Sequence, residues 1–395
     1  MRWLVDIDSA VADGTLTPEA GIELKRRARA AMVGYAINLA LFAGVVMVIA
    51  GAAAWLKDRQ ALAALGVALA AVGTFTLIRG GPRVRLVANA AAIIGATLAM
   101  GALVDLLFEG RTERVGVGVA LGLPAIAIGW TMRRSAPTTL SVLGGWIMLL
   151  GAGVHVAGIL TTESRLGLEW VALLYAGTVA IACGVILDVR FVTATAMVPL
   201  AAALSSRTFY GHATYGVAIY ESSLTIVQMS LIALVALAVS RGFSERFARH
   251  ARTLGQLSLI WINMAFWVGS LWGDVVGFHL WGPRWDAVTA GIYDWGVRIA
   301  AWEAASKAFK ADAIVISADV FAALWALGIL AVGAWGASTA RRAVLNIAVT
   351  FGAIHFYTQY FERLHVTPAA IVVAGVIAII AAWLLWAVNR RLAPR

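Results

Sequence analysis

Cysteine is nearly missing from this chain. Cys183 stands alone among 395 residues, so no intramolecular disulfide can form and a cysteine-rich metal site is excluded. Charge is scarce too. Only 13% of residues are Asp, Glu, Lys or Arg, about half the share in soluble domains. No glycine-rich phosphate loop and no ATP-binding motif occurs, so any active transport would be driven by an ion. No cofactor is expected. His279, Asp274, Asp319 and His355 could together hold a divalent metal, but their spacing matches no recognised motif, and no metal is expected. The net charge of +10 would suit a nucleic-acid partner if the basic residues formed one patch. They are instead distributed as topology signals, so no nucleic-acid partner is expected.

Apolar sequence is what the chain has in abundance. Hydrophobic residues make up 61% of it, against roughly 45–50% in soluble domains. A soluble core cannot use that much apolar surface, so lipid must be the solvent for most of it. Apolar runs occupy 32–56, 61–78, 86–108, 115–132, 138–160, 170–187, 191–206, 219–240, 254–281, 313–336, 343–361 and 369–388. About 20 apolar residues cross the hydrocarbon as a helix. The runs at 115–132 and 191–206 are short and carry Pro124 and Pro199. The expected fold is therefore an all-α integral membrane protein of about 12 transmembrane helices. Starting from a cytoplasmic N-terminus, the twelve crossings leave most of the 31 Lys and Arg on the inside and most acids on the outside, as the positive-inside rule requires. Both termini are then cytoplasmic. Losing one crossing would move Arg246, Arg249 and Arg252 to the outer side. A division into two six-span halves near 189–191 would suit a parallel repeat, although no matching motifs link the halves.

Two segments are not spans. Residues 1–31 read as a cytoplasmic helical hairpin. Trp3, Leu4, Ile7 and Val11 recur at helical spacing, Gly14 breaks the run, and Thr17-Pro18-Glu19 supplies a cap, a first-turn proline and an acid at the positive helix end. The acidic leader does not fit a cleaved signal peptide. Residues 282–312, between spans 1–9 (32–281) and spans 10–12 with their short tail (313–395), read as a periplasmic amphipathic helix. Ile292, Trp295, Ile299, Trp302 and Phe309 fall on one face, with Asp294–Arg298 and Glu303–Lys307 as i,i+4 ion pairs on the other. Such a helix, about 287–310, would lie in the outer interface or cap the bundle.

Asn346, Phe351, Tyr357, Tyr360-Phe361 and Glu362, followed by an apolar span ending in Asn389-Arg390-Arg391, resemble the close of a bacterial family of multi-pass membrane proteins catalogued as domain of unknown function two-one-five-seven. Gly14-Thr15-Leu16-Thr17-Pro18-Glu19-Ala20 resembles that family's opening. Gln359 stands where the family pattern has Arg, and Glu362 where it has Asp. The resemblance covers about a quarter of the chain. It implies a bacterial inner-membrane protein and no known reaction.

Ionisable groups inside a span are costly and therefore functional candidates. On the eleventh run, Asn346, Thr350, Thr358 and Glu362 recur at multiples of four, flanked by His355 and Gln359. The ninth run carries Gln256, Asn263, Trp267, Ser270 and Asp274, with His279 near its outer end; the tenth carries Asp319. Glu221, His155 and Asp105 fall in the outer half of other spans. The expectation is an outward-facing polar cavity lined by Asp274, His279, Asp319, Asn346, His355, Gln359, Glu362 and Asn263. A His beside a carboxylate can hold and release a proton near neutral pH. That suits an ion- or proton-coupled transporter or permease. An envelope enzyme or assembly factor working on lipid at the outer face, and a non-catalytic structural role, stay open. No catalytic residue is nominated. The expected partners are the bilayer and a small-molecule or lipid substrate.

Overall fold

The computed structural model describes residues 14–27, 58–80, 84–108, 114–135, 138–163, 169–204, 206–211 and 214–362, and single positions 7, 11, 40, 44, 47–49, 51, 55, 372, 375, 376 and 379. The expected first and twelfth spans lie largely outside this set. Among the described residues, eight helices are long and apolar enough to cross a membrane. In chain order the described elements are α1 (Arg59–Arg79), α2 (Arg85–Phe108), α3 (Arg114–Ser135), α4 (Thr138–Glu163), α5 (Glu169–Leu187), α6 (Arg190–Thr195), α7 (Met197–Ala202), β1 (Ser206–Gly211), β2 (Thr214–Ile219), α8 (Ser222–Gly242), α9 (Glu245–Trp272), β3 (Asp274–Val275), α10 (Phe278–Trp281), α11 (Trp285–Val288), α12 (Trp295–Asp312), β4 (Val315–Ile316), α13 (Ala318–Ser338) and α14 (Arg342–Tyr357). The eight candidates are α1–α5, α8, α9 and α13. The described chain divides into two compact units, Met1–Thr162 and Glu163–Arg395.

In the first unit, Thr17 Oγ1 accepts from the Ala20 amide at 3.3 Å, and Gly14 takes φ 76°, so the cap and the break sit where the residue types place them. α1 begins at Asp58, whose carboxylate accepts from the Gln60 amide at 2.9 Å. α1 and α2 then pack backbone to backbone. A Cβ added to Gly95 would lie 2.8 Å from Ala70 Cα, and one on Gly66 2.9 Å from Ala99 Cα. α3 and α4 pair in the same way, Gly118 against Gly158 and Gly122 against His155. Lipid tails give no hydrophobic drive between helices, so close van der Waals approach through small residues has to hold them together. α3 runs uninterrupted through Pro124, and the short run at 115–132 becomes a 22-residue helix. Asp105 is tied to Arg59 at 2.6 Å, and His155 packs within the α3–α4 pair.

The second unit is built around α9. Its 28 residues extend about 42 Å at 1.5 Å per residue. α8 lies antiparallel beside it, and α5, α6, α7, α13 and α14 also touch it. Met229 and Ala236 of α8, Met197 and Ala201 of α7, and Ala251 and Leu254 of α9 form a buried apolar core.

Three expectations are corrected here. The run at 191–206 is not one continuous helix. It breaks between α6 and α7 at Ala196 and ends in the antiparallel hairpin β1–β2, Ser206 opposite Ile219. Pro199 cannot donate to an i−4 carbonyl, but it fits the first turn of a new helix, where that donor is not needed. The segment still passes between the two ends of the α8–α9 pair: Thr193 is bonded to His250 near the start of α9, and the Leu200 carbonyl accepts from Gln228, two turns into α8. Next, α9 starts at Glu245, nine residues ahead of the expected run, and stops at Trp272. Gly273, at φ 71°, and Gly277, at φ 81°, turn the chain away, because a positive φ costs glycine little. Finally, the amphipathic helix starts at Trp295 rather than near 287. Its cap is Asp294, whose carboxylate accepts from the Val297 amide at 2.9 Å. The expected Asp294–Arg298 pair is not made. The Arg298 guanidinium lies 5.4 Å from the Trp285 ring centre and donates to Thr289 at 3.1 Å. Trp302 and Phe309 pack inward on Phe278, whereas Trp295 is exposed.

Candidate functional site

The polar residues of the second unit fall into three groups of contacts along α9. At mid-helix, Asn263 is buried. Its Nδ2 donates to the Leu259 carbonyl at 2.7 Å, and its Oδ1 accepts from the Trp325 indole Nε1 of α13 at 2.9 Å. The fully buried Trp325 meets the His355 ring of α14 edge-on, with centroids 4.7 Å apart. One polar chain thus joins α9, α13 and α14. Beyond His355 the helix widens into a π-helical turn, Thr358–Glu362, a distortion frequent at functional sites. His355 Nδ1, Thr358 Oγ1 and Gln359 Nε2 are buried atoms with no hydrogen-bond partner among the described residues. The three residues, at i, i+3 and i+4, share one face.

Asp274, Glu221 and His279 form the second group, at the end of α9. Asp274 Oδ2 accepts from the Ser223 amide at 2.6 Å, in the first turn of α8, and its Oδ1 from the Val275 amide at 2.9 Å. Glu221, at the start of α8, reciprocates: it accepts from the Gly277 amide at 2.7 Å and from the His279 amide at 3.0 Å. Two carboxylates therefore lock the α8 start to the α9 end by satisfying backbone amides that have no helical partner. The His279 ring stacks on Tyr220, with centroids 5.8 Å apart. These acids are spent on structure.

The expected single cavity is thus corrected. Asn263, His355 and Gln359 belong to the mid-helix group, Asp274 and His279 to the clamp. Asp319 is the second residue of α13 and exposed, at the helix end instead of two turns inside. Asn346 and Thr350 are exposed as well. A repeat of four advances about 400° on a helix of 3.6 residues per turn, so each step drifts about 40° and three steps bring Thr358 to another face from Asn346. The buried stripe runs Val344, Ala348, Phe351 and Thr358. The side chain of Glu362 lies outside the described residues. Among those residues no group of three or more His, Cys, Asp or Glu could hold a metal ion.

The third group was not anticipated. At the other end of α9, His250 is buried. Its Nδ1 lies 2.6 Å from Thr193 Oγ1 of α6, and its Nε2 3.1 Å from Asp188 Oδ1. Arg249 donates to both Asp188 oxygens, at 3.1 and 2.9 Å, and Arg246 donates to the Ile186 carbonyl at 2.5 Å. The hydrogen bond from His250 holds the Asp188 carboxyl below the usual carboxylate range, helped by the charges of Arg249 and Arg246 and opposed by partial desolvation. The partners lie 57 and 62 residues apart in sequence, so no local periodicity signals them.

No family model, no curated protein and no solved structure matches this chain.

Proposed function

We propose that this chain is a multi-pass transporter or permease of a bacterial inner membrane, coupled to protons or another ion. The observation that supports the reading is a patch of three buried polar atoms, on His355, Thr358 and Gln359, that have no hydrogen-bond partner among the described residues. Leaving a polar group unsatisfied in an apolar setting costs about 1–3 kcal/mol. Water, an ion or a substrate at the π turn would supply the bonds that the described residues do not. Buried polar groups in spans mark such pathways. The resemblance to the bacterial membrane family and the eight helices long and apolar enough to cross a membrane among the described residues support the same setting, which we read as twelve crossings with both ends cytoplasmic. In that topology the broken segment α6–α7 and its hairpin make the seventh crossing, and α14 with its π turn the eleventh.

The test is proton flux in liposomes loaded with a pH-sensitive dye under an imposed pH gradient. Wild type should acidify the lumen at least tenfold faster than empty liposomes, and His355→Ala and Gln359→Ala should lose most of that rate while inserting normally. Wild-type flux equal to that of empty liposomes rejects the proton-coupled reading. A second reading, an enzyme or assembly factor working on lipid at the outer face, draws on the exposed Trp281, Trp295, Val297 and Ile299 around α12. It predicts that Trp295→Asp abolishes function while His355→Ala spares it.

A further inference from the structure

A carboxylate, an imidazole and a hydroxyl stand in line at Asp188, His250 and Thr193. That order is the order of a nucleophilic triad. Nucleophilic chemistry is excluded by the surroundings of the hydroxyl. Thr193 is fully buried, and Gly184 of α5 is so close that a Cβ built there would lie 2.7 Å from the Thr193 amide nitrogen and overlap Thr193 Oγ1. No acyl carbon can approach that oxygen.

The same geometry suits a proton. Asp188 can only accept when ionised, so the neutral imidazole carries its hydrogen on Nε2, and Nδ1 accepts from the Thr193 hydroxyl. When a second proton adds at Nδ1, that N–H needs an acceptor. The Thr193 oxygen becomes one by rotating its own hydrogen away, as a hydroxyl can do without moving a heavy atom. The Thr193 oxygen can therefore keep its bond to Nδ1 in both charge states. Solvent reaches the relay through Asp188, whose side chain is 42% exposed, while that of His250 is 2% exposed. Asp188 occupies the left-handed region, φ 55°, a conformation rare for side chains other than Asn and Asp. It is held there by the Asp188 amide bond to the Val185 carbonyl at 3.2 Å and by Arg249.

We infer that Asp188, His250 and Thr193 form a proton-binding centre at the end of α9 remote from the Asp274–Glu221 clamp, charging and discharging on the imidazole. The inference stands apart from the transport reading and needs no flux. Charged groups stand on the elements packed against α9, among them Arg341 and Arg342 at the start of α14. Asp188 follows α5, and Arg190 opens α6. α7 contributes none, and Arg241 lies at the end of α8. Glu245, Arg246, Arg249 and Arg252 share α9 with His250. Glu245 is engaged by Arg252, so Asp188 is the anion that compensates a protonated His250, and the surrounding arginines oppose protonation. Uptake of one proton raises the local charge by one, at the contact that fastens α6 to α9.

The test uses the full chain in lipid nanodiscs with 15N-labelled histidine, the His250 signal being assigned by its loss in His250→Gln. In the folded wild type the His250 ring resonances should move with pH as the imidazole takes up its proton. Asp188→Asn removes the compensating anion while keeping a residue at ease with positive φ, and should shift the midpoint down by about one unit or more. Thr193→Val removes the acceptor for the new N–H and should lower it by a smaller amount. A His250 signal that stays flat while the protein is folded, or a midpoint unmoved in either variant, overturns the inference. Because the readout is protonation, dead flux with normal titration would sink the transport reading alone.

Discussion

The two units solve one problem in opposite ways. In the first, helices meet by deleting side chains: Gly66 and Gly95 let α1 and α2 touch backbone to backbone. In the second, helices meet through buried polar side chains, Asn263 to Trp325 and His250 to Thr193. Backbone contact is rigid and chemically silent. Polar contact can be remade with water, protons or ligand. The contrast is one of emphasis: Trp146 also donates to Thr97 between α4 and α2 at 2.9 Å, and Gly184 lets α5 approach the Thr193 backbone.

The sharpest break of that contrast is Gly95→Leu, which should force α1 from α2 at a cost of about 3 kcal/mol or more, seen as loss of the folded population in detergent unfolding. Next comes Glu221→Ala. It strands the Gly277 and His279 amides, and about 2–3 kcal/mol should disappear from the unfolding free energy of the second unit. Trp325→Phe keeps the ring but not the indole N–H, and should cost about 1 kcal/mol, the usual scale for hydrogen bonds between membrane helices. If that variant loses more than Gly95→Leu, the assignment of rigidity to the first unit is wrong. Gly101→Ala sharpens the comparison from the other side. Nothing lies within 4 Å of a Cβ there, so helix propensity alone should act and stabilise by about 0.5–1 kcal/mol. The smallest effect concerns acid. The Asp188 carboxyl is held low, so its contribution is present above the unfolded carboxylate range of about 4 and fades as pH falls through the lower folded value. Melting temperature should drop below that point in wild type and less in Asp188→Asn.

Much of the architecture was legible. Lengths of apolar sequence mark α1–α5, α8, α9 and α13, because a helix must satisfy its backbone internally wherever lipid is the solvent. Thr17 reads as a cap, since a cap is a local bond, whereas Asp294, read as an ion-pair partner of Arg298 inside a longer helix, turns out to be the cap of α12. The site was half legible. His355, Gln359 and Asn263 stand out as polar residues in apolar runs, and the structure gathers Asn263 and His355 on Trp325. Asp274 and Glu221 stand out equally, yet they serve as amide clamps, because the turn at Gly273 is invisible to a hydropathy pattern. The Asn346–Thr350 stripe misled through the drift of a four-residue repeat around a helix of 3.6.

Amino-acid order alone determined which stretches become helices long and apolar enough to cross a membrane, because that follows from local composition and backbone hydrogen bonding. Tertiary structure decided which polar groups are spent and which are left over. Glu221 meets amides 56 and 58 residues away, and His250 meets a hydroxyl 57 residues away. Partnerships over such distances depend on where helices end and how they cross, and no run of neighbouring residues encodes that.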